Sequence, residues 1–205
     1  MHLSAYSRSA LALAGLCAVA LATGCGPGTG SAPRPADLLL GPTELPSDFV
    51  RATASGVPVL SCPPLDQALV TTGDQASVSY SGRLSGVAER LTRARDTGSA
   101  EAVLRAVDAS LGHCPGRSTA TRAPGGLLTG RTFDVTPLDR LEGIGDESVV
   151  ARVAEGNGLA VGSTDVLVIR KGADVVELWV RNWTFAPRSD LSATDLARKA
   201  VARLG

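Results

Sequence analysis

Acid–base or nucleophilic chemistry in this chain would have to draw on very few residues. His113 is the one histidine beyond residue 24, so any Ser-His-Asp or Cys-His site would need it. It adjoins Cys114 at the end of a helical pattern, where a helix cap or surface residue is the plainer reading. Asp146 and Glu147 are neighbouring carboxylates that could act as acid and base in a cell-wall hydrolase, or shape a turn before a strand. No Gly-x-Ser-x-Gly, His-Glu-x-x-His or phosphate-cradling glycine loop occurs. Recognition has better material. Trp179 and Trp183, the only tryptophans, fall with Glu177 and Arg181 on one face of an alternating run from Val175, so stacking and charge could be combined toward a ligand. A helix or loop covering that face is the competing reading.

A different chemistry is suggested at the start of the chain. Arg8 precedes an apolar run from Ala10 to Ala22, about 13 residues, whereas a bilayer-crossing helix needs roughly 20. The run therefore reads as the apolar centre of an export signal. It leads into Leu21-Ala22-Thr23-Gly24-Cys25, which resembles a bacterial lipobox, with Ala22 where leucine is usual and Leu21 one step earlier. Cleavage before Cys25 would leave its thiol to carry a diacylglyceryl group; Cys17, preceded by the bulky Leu16, is the poorer candidate. A plain secretory signal is the alternative. Two or more acyl chains, at about 0.8 kcal/mol per buried methylene, hold a protein on a membrane durably. The expected organisation is a signal peptide over 1–24, a tether over 25–37 and one domain over 38–205, held by lipid at the extracytoplasmic face of the cell membrane.

Removing residues 1–24 takes away Arg8 and no acid, leaving 19 basic and 20 acidic residues. Such a balance argues against nucleic acid as a partner, since nucleic-acid domains carry a basic excess or stripe. Of the cysteines, Cys62 and Cys114 remain. Outside the membrane they are most simply a disulfide, and a metal site lacks ligands because no Cys-x-x-Cys or histidine pair accompanies them. Nothing in the residues implies a cofactor.

The elements that must position these groups follow from periodicity. Ala100, Val103, Leu104, Val107 and Leu111 predict a helix over Ser99–His113. Ser192 and Asp195 form a capping-box pair, with Leu191 and Leu196 placed as a hydrophobic staple, so a second helix starts there. Strands are expected over Ala76–Ser81, Arg131–Val135, Ser148–Ala154, Asp165–Arg170 and Val175–Trp183, the last two joined by a hairpin at Lys171-Gly172-Ala173-Asp174. Val176, Leu178 and Val180 form the expected core face of the last strand. This order predicts an α+β domain, a mostly antiparallel sheet packed against two main helices.

Several short motifs in order then resemble one family. Glu44-Leu45-Pro46-Ser47-Asp48-Phe49, Cys62 followed by Pro63, Cys114 after the first helix, Gly145-Asp146-Glu147-Ser148 and Val168-Ile169-Arg170-Lys171-Gly172 are similar to the actinobacterial PknH-like extracellular sensor domains. The resemblance, spanning Leu38 to Leu204, implies an α+β domain with a concave cleft that takes an unidentified small-molecule or cell-wall ligand. Family members occur on kinases and as free-standing lipoproteins. This chain contains no kinase domain, so no signalling output carries over, and its two domain cysteines allow one bridge where the kinase sensor has two. The expected function is a non-enzymatic, lipid-anchored binding or sensor module. An envelope protein–protein interaction module is the alternative, and a cell-wall hydrolase a distant one.

Overall fold

The computed structural model describes residues 32–53, 62–70, 72–114, 117–122, 128–156, 161–183 and 191–205; Cys25 and residues 1–31 lie outside them, as does the side chain of Trp183. Eight strands, β1 (Val50–Arg51), β2 (Asp74–Ser81), β3 (Ser85–Arg93), β4 (Arg117–Arg122), β5 (Leu128–Leu138), β6 (Glu147–Gly156), β7 (Val161–Lys171) and β8 (Asp174–Trp183), form one sheet. Its order is β1-β2-β3-β8-β7-β6-β5-β4, and every neighbouring pair is antiparallel. The expected α+β class is therefore present. Gly172 takes φ +60° in the turn between β7 and β8, where Lys171 pairs with Asp174. β3 was not expected from pattern, and it lies beside β8 in the middle of the sheet.

Helices cover both faces of this sheet. On one face α1 (Pro63–Ala68) and α2 (Thr97–Leu111) join Ala88, Val153, Val166, Val168, Val175 and Trp179 in one core. α2 starts two residues before the expected Ser99 because Asp96 is its cap, accepting the Ser99 N–H at 2.7 Å. On the other face α3 (Ala193–Ala202) packs Leu196, Ala197 and Ala200 over Leu167, Ile169, Val176, Leu178 and Val180. Ser192 caps it as expected, with its hydroxyl accepting from Asp195 N–H at 3.2 Å. Central strands buried on both faces need no polar alternation, which explains the continuous run Val166-Leu167-Val168-Ile169.

The packed domain begins at Pro33, ahead of the expected boundary at Leu38, because Pro33 and the 3₁₀ turn Pro35–Leu38 lie against the sheet. Arg93 donates to the Pro33 carbonyl at 2.9 Å. Between that turn and a second one at Pro42–Glu44, Leu40 has no regular partner for its backbone. Side chains of the sheet supply them: Glu89 accepts the Leu40 N–H at 2.6 Å, and the Tyr80 hydroxyl donates to the Leu40 carbonyl at 2.7 Å. Glu89 is 1% exposed, and burial pushes its carboxyl up to about 7 against the opposing pull of the Leu40 N–H.

Cys62, the N-cap of α1, is bonded to Cys114, just beyond α2, with 5.6 Å between their Cα atoms. The bridge spans 52 residues, so chain entropy alone makes it worth about 4 kcal/mol. Reduction should lower the free energy of unfolding by about that amount in a urea titration. An unchanged midpoint would contradict the structural role of the bridge.

Glu89 sets a pH dependence of definite sign. Its folded value, about 7 against an ordinary 4.5, means that the native state holds the proton more tightly than the unfolded chain. Its stabilisation is full below pH 4.5 and is lost as pH rises toward 7, by about 3 kcal/mol in all. Glu89→Gln keeps an acceptor for Leu40 and removes the titration, so its unfolding free energy should fall less between pH 5 and pH 8 than that of the wild type, as measured by urea denaturation. Parallel curves for the two proteins would rule out Glu89 as the source.

Candidate functional site

The expected aromatic ligand face is not an open surface. Val175, Glu177 and Trp179 point toward α1 and α2, and Trp179, 1% exposed, belongs to one cluster with Leu65, Leu104 and Val107. Trp179 is therefore a core residue, which corrects its reading as a ligand contact. The physical reason is its position in β8, a central strand with helices over both faces. Arg181 lies farther along the same face and pairs with Glu155 at 2.6 Å. Trp183 ends β8 opposite Gly162, and its side chain is outside the described residues.

The charge expected on this face, Glu177, is instead buried, and its partner Arg90 is the residue that sequence reasoning missed. Glu177 is fully buried, and Arg90, its register partner on β3, grips both carboxylate oxygens, with Nε at 2.9 Å from Oε1. Burial pushes the Glu177 carboxyl up to about 7 while the Arg90 guanidinium holds it down. Arg90 also donates to the Leu69 carbonyl at the end of α1 and lies 5.7 Å from the centre of the Trp179 ring. Arg90 and Glu177 are 87 residues apart, so only recognition of β3 as the neighbour of β8 could have joined them.

The other expected chemical residues are tied to structural partners. Asp146 accepts the Gly172 N–H at 2.7 Å and meets Arg170 at 3.1 Å, clipping the β7–β8 turn. That N–H, then Lys171 and Arg170, hold its carboxyl below the ordinary carboxylate range. Gly145 beside it has φ +71°, and a Cβ there would meet Ile169 at 2.5 Å and the Arg170 carbonyl at 2.6 Å, so only glycine fits. Glu147 faces Arg140 at 3.6 Å and Arg170 at 3.7 Å. Both carboxylates therefore meet the Arg170 guanidinium, and Asp146 shapes the turn. His113 is exposed beyond α2, with Nδ1 2.9 Å from the Ala109 carbonyl oxygen, in the manner of a helix cap. No cluster of metal-ligating side chains occurs among the described residues.

Space for a ligand lies elsewhere, between the Pro42–Glu44 turn and the start of α3. A groove of about 320 Å³ is lined by Thr43, Leu45, Pro46, Leu191, Asp195 and Lys199, among others. Its walls are held by the Lys199 ammonium, which donates to the Glu44 carbonyl at 2.9 Å, and by an ion pair of Arg203 with Glu44. The lining is mixed, with leucine and proline side chains beside Lys199, Asp195 and two hydroxyls, so it offers polar and apolar contacts together. The sequence offered one signal for it, the Leu191–Leu196 staple.

No family model matches the chain, and no curated protein matches it. Among solved structures it is similar to the extracellular domain of PknH from Mycobacterium tuberculosis, with a TM-score of 0.52 and 12% identity over 82% of this chain and 92% of that one. At that identity the likeness is one of fold, and the protein has the α+β fold of that extracellular domain.

Proposed function

We propose that the protein is a lipid-anchored module of the cell envelope, facing outward, that binds a small or cell-wall-derived ligand without transforming it. The carrying observation is the fold shared with a domain described as extracellular. The lipobox-like Gly24-Cys25 after an apolar run supports lipid anchoring, and no helix among the described residues is long and apolar enough to cross a membrane. The groove beside α3 supports binding. Occupation of Asp146, Glu147 and Glu177 by arginine partners supports a role without acid–base catalysis.

Native mass spectrometry of the full protein purified from its own envelope tests both parts. The spectrum should show an acyl modification on Cys25 and a noncovalent small molecule released on activation. Cys25→Ala should remove the first and shift the protein out of the detergent phase in phase partitioning. Thr43→Trp, an exposed position filling the groove, should remove the second while changing stability by less than about 0.5 kcal/mol. Full detergent partitioning of Cys25→Ala would contradict the anchor, and a chain free of small molecules would contradict ligand capture.

A further inference from the structure

Exposed apolar side chains and unpaired arginines coincide at one corner of the sheet. Four large hydrophobic residues are exposed among the described residues: Val50 at 65%, Val70 at 73%, Leu84 at 40% and Leu138 at 37%. Two of them sit together at the end of β2, where Val50 pairs with Ser81 and Leu84 stands in the turn that follows; Val70 lies apart from them, just after α1. The Phe49 ring packs on Gly82, holding Val50 beside that turn. Among the described arginine side chains, every one except Arg51 and Arg83 is in an ion pair with a carboxylate. Arg51 and Arg83 are exposed, and they flank Val50 and Leu84 in the chain. Asp48 is the exposed acid nearest in sequence, so this tip keeps a positive excess.

We infer that the tip of the β1–β2 edge is a membrane-contact surface, on which Val50 and Leu84 enter the headgroup region and Arg51 and Arg83 meet anionic lipid. The inference rests on the lipid anchor of the proposed function. Apolar side chains flanked by unpaired cations are the composition that settles at an anionic bilayer interface. Reach agrees with it. The domain begins at Pro33, held by Arg93, whose register partner is Asp74 at the start of β2. Eight peptide steps separate Cys25 from Pro33, and fully extended they span at most about 29 Å. β2, with 8 residues, is itself about 26 Å long. The tether can thus span the length of β2, so a bilayer holding Cys25 lies within reach of the Val50 and Leu84 tip at its far end.

The test uses the full lipoprotein reconstituted into vesicles that contain a brominated, fluorescence-quenching lipid, with and without phosphatidylglycerol. With Cys62 and Cys114 bonded and Cys25 acylated, Leu84→Cys supplies a single thiol for a fluorophore, and Thr136→Cys on β5 supplies an exposed control. On floated protein in phosphatidylglycerol vesicles the Leu84 label should be quenched at least about twofold more than the Thr136 label. Arg51→Glu with Arg83→Glu, or omission of phosphatidylglycerol, should bring that ratio toward one. Floated protein with equal quenching at both positions overturns the contact, as does a Leu84 label already shielded without lipid, which would mean that another chain covers the edge. Protein that does not float overturns the anchor and the contact together, so the two failures are read apart.

Discussion

A carboxylate buried in the middle of the sheet is the constraint around which one half of this molecule is arranged. Glu177 has no access to water, and a lone charge in that position would be prohibitive. Arg90 answers it from the adjacent strand, gripping both oxygens, and in doing so is pinned in place itself. Its remaining contacts then orient what lies above: the Leu69 carbonyl fixes the end of α1, and the Trp179 ring lies beside the guanidinium. α1 begins at Cys62, whose bridge to Cys114 ties it to the end of α2. One ion pair therefore joins β3 to β8 and to the end of α1, and the disulfide ties α1 in turn to the end of α2.

The opposite face is closed by α3 together with the N-terminal segment. Glu89 and Tyr80 supply both hydrogen bonds that Leu40 lacks, while Arg203 donates to the Leu38 carbonyl at 3.4 Å. The same segment continues into the wall of the groove, where Lys199 and Arg203 of the C-terminal stretch hold Glu44. Both ends of the domain thus meet at this groove. The sheet centre is committed to packing, and the groove and the exposed β1–β2 edge lie at its periphery.

How much of this could be read in the sequence depended on how local the cause was. α2, α3 and the β7–β8 turn were legible because Leu104 and Val107, the Ser192 cap and Gly172 act within a few residues of themselves. The disulfide was legible by elimination. β3 was not, because Glu89, Arg90 and Arg93 look like a solvated stretch; each is satisfied by a partner distant in the chain, such as Leu40, Glu177 or Asp174. Trp179 was misread for a related reason. Alternation separates core from surface only in a strand with one wet face, and β8 has none. The groove left one trace, since the staple leucines that start α3 also line it.

The centrality of the Arg90–Glu177 pair is tested most directly by a double-mutant cycle in urea denaturation. Glu177→Leu and Arg90→Met should each cost about 3–5 kcal/mol, because each leaves the other member of a largely buried pair without its counter-charge. The double variant, with no charge left to satisfy, should recover much of that loss and be clearly more stable than the sum of the two predicts. Strictly additive losses, or single variants within about 1 kcal/mol of the wild type, would contradict the account of a fold organised around this pair.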